Sequence, residues 1–313
     1  MTPKVSVIMP VERIGGGAEH AIKSVLKQET PFPFELIVIS AEPLGPAVDN
    51  RVRNVVEKNR NPATRRNRAA SVAQGEILAF IDDDALAAPG WLATAAAYLD
   101  ARPEVVALGG PDPAPDDSTE AELIADTLLA TRWIGSGVAA HENLTGVFDI
   151  RSPSDLALVN LFVRKSLFAG FDERIGYIGE DTALLAELMH KGRVIYHHGV
   201  RVDHRRRAFP GPYLRQRWRY RVKSGTQLAR GASPNRSRIV AFLVAGTVSI
   251  ALAPLVALPY AAVTLILGAR ATRLPARRWW VLPFAFALHH LTYYFALLWG
   301  AIKGFVRELT GNR

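Results

Sequence analysis

Two long apolar runs in the C-terminal third of the chain contain no Asp, Glu, Lys or Arg. They cover residues 239–268 and 279–302 of the 313 residues. About 20 consecutive apolar residues span the hydrocarbon core of a bilayer. A core helix this hydrophobic would instead need another domain large enough to surround it. The runs therefore predict a C-terminal membrane region over residues 226–313.

Two arrangements of this region stay open. Pro254 and Pro259 interrupt the first run, so it could form one span or two half-helices that return to the same face. The arginine-rich segment between the runs favours the cytoplasm under the positive-inside rule, as does the block 201–238, which has twelve Arg or Lys and one acid. A plain hairpin of two spans cannot satisfy both segments. The expected location is the inner cell membrane, with the N-terminal domain on its cytoplasmic face.

The first 225 residues alternate between short apolar segments and stretches of helical periodicity. The predicted strands are KVSVIMPV, FELIVIS, EILAFI, EVVALGG and RVIYHHGV. Such alternation predicts an α/β domain whose parallel sheet has helices on both faces. A helix is also expected over 120–132 and an irregular loop over 135–155. Ligands of these sheets bind at the carboxyl ends of the strands, so functional side chains are expected at that edge.

Three adjacent carboxylates, Asp82, Asp83 and Asp84, directly follow the predicted strand EILAFI. Carboxylate oxygens suit Mg²⁺ and Mn²⁺, and a cation so held can neutralise the charge of a diphosphate leaving group. The alternative is that these acids are solvated loop residues or caps of the helix that begins near Pro89. The three residues alone do not decide between these interpretations.

A second acidic pair, Glu180 and Asp181, precedes the helical segment TALLAELMHKG. Taken alone, this pair is more typical of a helix cap, for which Thr182 is a rival. The block that begins at residue 201 also contains His204 between Asp203 and the arginines 205–207. A lone histidine is usually structural, but imidazole also binds Mn²⁺, and arginines bind phosphate through two parallel hydrogen bonds. The absence of cysteine excludes thiolate ligands and a Cys nucleophile.

The order of these segments resembles that of the inverting family 2 glycosyltransferases, which have the nucleotide-sugar-binding GT-A fold. VSVIMPV resembles their first strand, AIKSVLKQ their first helix, and ATRRNRAASVAQGEILAFIDDD the segment that leads to their acidic metal motif. GEDTALLAELMHKGRVIYHHG resembles the segment that carries their catalytic base. LRQRWRY is similar to the arginine and tryptophan signature of processive membrane members. The resemblance covers residues 4–225 and implies a GT-A domain over 1–225.

On the metal and base side, the resemblance implies a role for each acid. Asp82 and Asp84 would hold a divalent metal, Mn²⁺ or Mg²⁺, on the donor diphosphate, and Asp83 would approach the ribose or the sugar. Asp181 would be the general base, with Glu180 beside it. Galactofuranosyltransferases of this superfamily use a histidine at a similar distance beyond the base as a further metal ligand, which points to His204.

The remaining implied roles concern donor and acceptor binding. The donor side would include Pro10 at the end of the first strand, together with Arg66 and Asn67 beside the nucleotide diphosphate. The acceptor or diphosphate side would include four residues of the basic block, of which the last two match the family signature only loosely. These four are Arg205, Arg207, Arg217 and Trp218.

The sequence departs from the family at two places. The second strand of the family usually ends in paired Asp residues that read the nucleobase, whereas Ser40 and Ala41 stand here. Glu42 is one step further on and could substitute. The segment VERIGGG, residues 11–17, is offset from the family pattern after the first strand. The usual preference for uridine is therefore open.

The expected function is metal-assisted transfer of one sugar from a nucleotide donor to a membrane-associated acceptor, either polyprenyl-linked or a nascent polysaccharide. A processive polymerase is less consistent with so few predicted spans. The alternative from another class is a membrane-anchored scaffold or sugar-nucleotide-binding protein that has lost catalysis. Nucleic-acid binding is not expected, because the basic block adjoins a membrane run and no nucleic-acid motif is present.

Overall fold

The computed structural model describes residues 2–12, 16–43, 45, 49–175, 178–231 and 236–310. Residues 13–15 of the offset segment VERIGGG lie outside them. The chain forms two compact units. The first contains Met1–Asp116 and Gly137–Arg205, and the second contains Asp117–Ser136 and Arg206–Arg313. The second unit takes in the helix predicted over 120–132 and begins again at Arg206, whereas the predicted division at residue 225 stays a prediction.

The first unit contains all the strands among the described residues. An eight-stranded sheet has the order β3-β2-β1-β4-β8-β6-β9-β7, and β5 pairs separately with β10. The pairs β1-β2, β1-β4, β2-β3 and β6-β9 are parallel, whereas β8 is antiparallel to both β4 and β6. This is the mixed, mostly parallel sheet of the predicted fold class. The strands β1 to β10 are Val5–Pro10, Phe34–Ser40, Val52–Val56, Ile77–Phe80, Ala85–Ala87, Val105–Gly109, Val147–Asp149, Leu161–Arg164, Arg193–His197 and Val202–His204.

Both faces of the sheet are buried, which explains why its central strands read as continuous apolar runs. In β4, Ile77 and Ala79 pack into one hydrophobic cluster, while Leu78 and Phe80 pack into the cluster on the other face. The first apolar residue after β4, Ile81, is also buried, and its N–H donates to the Ile8 carbonyl. Polar residues can therefore begin only beyond Ile81, at the carboxyl edge of the sheet.

Helices flank this sheet in the first unit and make up most of the second. The helices α1 to α9 are Gly16–Leu26, Pro62–Val72, Trp91–Asp100, Glu120–Ala130, Glu180–Lys191, Gly211–Ala229, Arg236–Ala251, Ala253–Ala271 and Leu282–Leu309. Short 3-10 turns occupy Leu158–Asn160, Lys165–Leu167 and Ala276–Val281. Helix α4 begins with a capping box, in which Thr119 accepts the Glu122 N–H and the Glu122 carboxylate accepts the Thr119 N–H.

In the second unit, α6 and α9 pack with their backbones in close contact. A Cβ atom at Gly300 would lie 2.0 Å from the Val222 carbonyl oxygen, and one at Gly225 would lie 2.2 Å from the Leu297 carbonyl oxygen. Only glycine leaves room for this approach. The glycines of these two helices therefore define how closely they can pack.

The two predicted membrane runs form three helices. The first run breaks at Leu252, between α7 and α8, and Pro254 lies in the first turn of α8 while Pro259 lies inside it. Two helical segments of the described residues are long and apolar enough to cross a membrane, Ala253–Ala271 and Ala276–Leu309. The arrangement of these helices in a membrane stays a prediction.

Candidate active site

The three adjacent aspartates lie one residue beyond the end of β4, at the carboxyl edge of the sheet. The backbone N–H of Glu12, just beyond β1, donates to Asp83 Oδ2 at 3.2 Å. Burial, together with the charges of Asp84 and Asp82, raises the pKa of Asp83 to about 6. The ends of two adjacent parallel strands thus hold the acidic turn in place, as expected for a ligand-binding edge.

The buried guanidinium of Arg66 joins the two acidic motifs. Its NH2 group lies 3.0 Å from Asp82 Oδ1, and its NH1 group lies 3.3 Å from Glu180 Oε1. Arg66 and Glu180 are both buried, while the Asp82 side chain is 34% exposed. Helix α2 carries Arg66 and helix α5 begins at Glu180, so this residue connects three separate segments of the first unit.

The third nitrogen of this guanidinium, Nε, takes part in neither ion pair. Arg66 Nε is buried and has no hydrogen-bond partner among the residues that the structure describes. A buried donor without a partner carries a desolvation cost of about 1–3 kcal/mol. An anion or a water molecule at this position would remove that cost.

Asp181 lies in the first turn of α5, beside Glu180. The residue before the helix is Gly179, whose φ of 94° is in the left-handed region and which has no side chain to cap the helix. Asp181 Oδ1 accepts the Thr182 N–H at 2.7 Å, so Asp181 satisfies one backbone donor of the first turn. Desolvation nevertheless raises the pKa of Asp181, against the lowering effects of Thr182 and Arg66. A carboxylate whose pKa is raised is a stronger base.

His204 lies on β10 next to the acidic turn. The strand pairs with β5 so that His204 is opposite Ala85, the residue after Asp84. Its Nε2 atom is 3.3 Å from Asp84 Oδ1, and its Nδ1 atom is 3.6 Å from Asp112 Oδ2. The structure therefore brings His204 and Asp84 together, as the sequence comparison implied. In the part of the chain that the structure describes, no three His, Asp or Glu side chains form a complete metal site.

Asp112 and His141 were not identified from the sequence. Asp112 is completely buried, and its Oδ1 atom is 2.7 Å from His141 Nδ1. The segment PDPAP around Asp112 reads as an ordinary loop, although its position just after β6 was a usable signal, since it places an acid at a strand's carboxyl end. Nothing in the sequence pattern around His141 distinguishes it.

Asn67 does not face the same way as its neighbour Arg66. Its Nδ2 group donates to the Phe171 carbonyl at 2.9 Å, and its Oδ1 atom accepts the Phe171 N–H at 2.7 Å. Successive residues of a helix point about 100° apart, so Arg66 faces the acidic turn while Asn67 faces the segment before α5. The expected role of Asn67 at the diphosphate therefore differs from its observed contacts, which hold this segment.

The end of β2 has Ser40 where the family usually has a carboxylate that reads the nucleobase. Ser40 is buried, and its hydroxyl donates to the Glu42 carbonyl at 2.6 Å and accepts from Asn54 Nδ2 at 3.0 Å. Ser40 thus cross-links β2 to β3. Glu42 is exposed beyond the strand, and Pro10 is the last residue of β1.

The four residues expected on the acceptor or diphosphate side fall in different units. Arg205 ends the first unit, where its N–H donates to the Asp84 carbonyl at 3.4 Å. Arg207, Arg217 and Trp218 belong to the second unit. Arg217 lies over the rings of Tyr213 and Tyr220, and Trp218 is 39% exposed. Their expected contact with substrate stays a prediction.

Residues 6–138 match the family model described as Glycosyl transferase family 2. This match covers less than half of the chain and supports a family 2 glycosyltransferase domain. The match begins in β1 and includes the acidic turn, Arg66, Asp112 and α4. Domains of this family are glycosyltransferase enzymes, and the fold around the acidic turn agrees with that assignment.

A curated relative and two solved structures resemble the family 2 domain. The glucosyl-dolichyl phosphate glucuronosyltransferase of Haloferax volcanii is 32% identical over 120 residues, which cover 34% of this chain and 37% of that protein. The chain thus matches little more than a third of this relative's length. The mannosyltransferase PcManGT of Pyrobaculum calidifontis, solved with GDP-Man and Mn²⁺, has a TM-score of 0.52 at 21% identity, and the match covers 100% of this chain and 89% of that one.

GalNAc-T7, solved with UDP, GalNAc and Mn²⁺, has a TM-score of 0.50 at 14% identity, with 68% of this chain and 46% of that one covered. At these identities, the two solved structures show the fold. The family 2 domain therefore has the GT-A architecture that the sequence predicted.

Proposed function

We propose that the chain is an inverting glycosyltransferase that moves one sugar from a nucleotide-diphosphate donor to a lipid-linked acceptor. The observation that carries this proposal is the position of Arg66. Its guanidinium ties the acidic turn at Asp82 to the head of α5 at Glu180, and its buried Nε has no protein partner among the described residues. A donor diphosphate at the acidic turn would accept from the part of the guanidinium beside the partly exposed Asp82.

Asp181 would act as the general base. It would take the proton from an acceptor hydroxyl as that oxygen forms a bond to the anomeric carbon of the donor sugar. The bond between the anomeric carbon and the diphosphate oxygen breaks in the same step, and the electron pair leaves with the nucleoside diphosphate. A single displacement of this kind inverts the anomeric configuration. The raised pKa of Asp181 makes its ionised carboxylate a stronger base.

Charge on the departing diphosphate requires cationic groups. Arg66 lies at the acidic turn and would donate to the phosphate oxygens. The carboxylate of Asp84 and the imidazole of His204 form an oxygen and nitrogen donor pair that suits Mn²⁺. A divalent cation held by these two residues would neutralise diphosphate charge. Asp82 was expected as a further ligand, whereas its Oδ1 atom contacts Arg66 here.

The donor nucleotide is the less constrained substrate. GDP-Man and UDP occur in two proteins of similar fold, and these names differ in both base and sugar. The Ser40 hydroxyl is hydrogen-bonded to Glu42 and Asn54, so it would not replace the carboxylate by which the family reads the nucleobase. Glu42 is exposed at the end of β2 and would be the acid available for that role.

A lipid acceptor at a membrane surface would fit the second unit. The curated relative is named for a dolichyl phosphate substrate, and α8 presents large apolar side chains such as Leu255 and Leu258, which are 74% and 83% exposed. These side chains would lie in lipid. We place the chain at the inner cell membrane, with the family 2 domain on the cytoplasmic face next to its nucleotide donor.

The competing function is a membrane-anchored scaffold that no longer transfers sugar, which the altered end of β2 favours. Purified protein is incubated with a membrane lipid extract and each of a panel of labelled nucleotide sugars, with Mn²⁺ or Mg²⁺. We expect one donor to give a lipid-soluble labelled product and free nucleoside diphosphate. A scaffold would give neither with any donor.

The variant Asp181→Asn tests the base in the same assay. The amide cannot accept the proton, so we expect transfer to fall by at least about 100-fold while donor binding persists. Asp172→Asn is the matched control, because Asp172 pairs with Arg174 before α5, and we expect it to keep full activity. Transfer by Asp181→Asn at the rate of the unaltered protein would remove Asp181 from this role.

A further inference from the structure

The connection between α8 and α9, residues 272–281, has no role in the proposed reaction and packs against α4 inside the second unit. Leu274 is buried in the same hydrophobic cluster as Leu128 of α4. The hydroxyl oxygens of Thr127 and Thr272 are 2.8 Å apart. The connection is therefore attached to α4 by apolar and polar contacts together.

Two acids of α4 also pair with arginines of the connection. Glu120 Oε2 is 3.0 Å from Arg278 Nε, and Asp126 Oδ2 is 3.8 Å from Arg273 NH2. Exposed ion pairs contribute at most about 1 kcal/mol each, so these pairs say more about position than about stability. They place the arginine-rich segment between the two apolar runs along α4.

The ends of α4 determine the side of a membrane on which this helix lies. The chain leaves the first unit after Asp116 and returns to it at Gly137. The segment 117–136 is too short to cross a bilayer and come back, since each crossing takes about 20 residues. Helix α4 and the connection attached to it are therefore on the same side of the membrane as the first unit.

Helix α6 also stays on this side. It contains five Arg or Lys residues and no Asp or Glu, and each Arg or Lys at the centre of a bilayer costs about 2.5–3.5 kcal/mol. Residues 230–235, between α6 and α7, are again too few to cross. Helix α7 therefore begins on the side where α8 ends.

The first apolar run thus enters the bilayer and returns to the same side. Helices α7 and α8 contain 16 and 19 residues, or about 24 and 28 Å, against about 30 Å for the hydrocarbon core. Each helix can reach deep into the core before the break at Leu252. Arginines lie at both outer ends of the pair, namely Arg236, Arg238 and Arg270. Both basic segments then satisfy the positive-inside rule.

Helix α9 lies alongside α6 over much of its length. Near one end of the contact, the Tyr213 hydroxyl is 2.7 Å from His289 Nδ1. Near the other end, a Cβ atom at Gly304 would lie 2.8 Å from the Ala229 Cβ atom. The two helices therefore run in the same direction and stay in contact over residues 289–304 of α9.

The charges of α6 keep this pair of helices at the membrane surface. Length and apolar composition alone would allow α9 to span. If it did, α6 would cross beside it and would carry Arg215 and Arg219, which are exposed, into the hydrocarbon core. A position along the surface avoids this cost, and there exposed side chains such as Phe295 and Trp299 would contact lipid.

We propose that the second unit binds a lipid bilayer from one side only. Helices α7 and α8 form a hairpin that enters and leaves through the face on the side of the first unit, and α9 lies along that face beside α6. The exposed apolar side chains of the hairpin, such as Leu255 and Leu258, contact the lipid chains. This inference rests on the membrane location in the proposed function and adds the topology of the membrane region.

The chain has no cysteine, so single introduced cysteines can report the membrane side of each segment. The full chain is produced in a bacterium, and inverted and right-side-out membrane vesicles are treated with a maleimide that cannot cross the bilayer. Ala97→Cys in the first unit, Ala276→Cys in the connection and Thr310→Cys after α9 replace exposed residues. We expect all three to be labelled in inverted vesicles and protected in right-side-out vesicles.

A cysteine at the break between α7 and α8 is the matched probe inside the bilayer. We expect Leu252→Cys to be protected from the side that labels Ala97→Cys and to react after detergent is added. Labelling of Ala276→Cys from the opposite side to Ala97→Cys would overturn the hairpin, and the same result with Thr310→Cys would overturn the surface position of α9. Labelling of Leu252→Cys from the side of Ala97→Cys would also overturn the proposal, because the hairpin would then lie outside the bilayer.

A pair of cysteines tests the contact between α4 and the connection directly. Thr127→Cys with Thr272→Cys replaces two hydroxyls that are 2.8 Å apart, so we expect oxidation in membranes to form a disulfide and remove both free thiols. Thr127→Cys with Thr310→Cys is the control, because the 28 residues of α9, about 42 Å, separate Thr310 from the connection. Two free thiols in both pairs after oxidation would overturn the inference.

The sugar-transfer assay separates this topology from the proposed function. Transfer to lipid, together with labelling of Ala276→Cys from the opposite side to Ala97→Cys, would overturn the inference and leave the proposed function standing. The expected labelling without transfer of any sugar would support the inference and contradict the proposed function.

Discussion

At the residue scale, the site is dominated by single side chains that serve two segments at once. Arg66 contacts Asp82 and Glu180, and Asp112 approaches His141 and His204. Each of these side chains holds together parts of the sequence that lie far apart. Substitutions at them are therefore expected to affect more than one functional group.

The raised pKa of Asp181 predicts the pH dependence of transfer. The proposed base must be ionised, and desolvation raises the pKa of Asp181 above the ordinary value of 3.8. We expect kcat/KM to increase with pH through that raised pKa and to reach a plateau above it. A pH profile of kcat/KM checks this expectation, and Asp172→Asn should show the same acidic limb. A profile that stays flat down to pH 4 would contradict it.

The raised pKa of Asp181 favours its proposed role as a base but lowers the stability of the folded state. A carboxyl whose pKa is raised on folding binds its proton more tightly in the native state than in the unfolded chain. Ionisation of Asp181 therefore disfavours the folded state at neutral pH, and this penalty disappears as the pH falls below its ordinary pKa. Retaining a group that costs stability is typical of functional sites.

At the scale of helices and strands, sequence patterns predicted the long elements and missed the short ones. The strand FELIVIS coincides with β2, and the helix expected over 120–132 is α4, which ends at Ala130. In contrast, β5 has three residues and exists because Val202–His204 pairs with it. A strand this short has no periodicity of its own, so its partner far along the chain determines it.

The candidate site divides in the same way. Asp82 to Asp84 and Glu180-Asp181 could be predicted, because each follows or begins a long element. Asp112 and His141 could not be predicted, because they are brought together only by a contact between two loops. Arg66 and Asn67 contact different segments because of helical phase, which a sequence match to the two residues as a pair does not resolve.

The contact between α6 and α9 gives a prediction about packing. Gly300→Ala would place a Cβ atom 2.0 Å from the Val222 carbonyl oxygen, so the two helices would have to separate. We expect a loss of about 1–3 kcal/mol in the free energy of unfolding, despite the better helix propensity of Ala. Thermal unfolding in detergent measures this change.

Gly211→Ala is the control for this substitution. Gly211 is the first residue of α6, and its Cβ position has nothing within 4 Å among the described residues. We expect its melting temperature to match that of the unaltered protein. If both alanine variants melt together, close backbone packing of α6 and α9 is not what stabilises the second unit.

At the scale of the whole molecule, the exposed apolar helices give a prediction about membranes. We expect the chain to float with vesicles of phosphatidylethanolamine and phosphatidylglycerol in a density gradient. The double substitution Leu255→Asp and Leu258→Asp places charges on an apolar surface of α8, at a cost of about 2.5–3.5 kcal/mol per residue at a bilayer centre. It should shift much of the protein to the unbound fraction.

Val56→Asp is the control for the flotation experiment. Val56 is also an exposed apolar residue, 43% exposed, but it lies at the end of β3 in the first unit. Its substitution should leave flotation unchanged. Equal flotation of all three proteins would show that α8 does not mediate lipid binding.

The strand order has a consequence for how the chain is made. Strand β8, Leu161–Arg164, lies between β4 and β6, yet it is synthesised after both of them. During translation, β4 and β6 therefore each have an unpaired edge until residue 164 has left the ribosome. A fragment cut at residue 138, where the family match ends, would keep those edges open permanently and would be prone to aggregate. As a folding unit, the first unit is therefore longer than the part of the sequence that matches the family model.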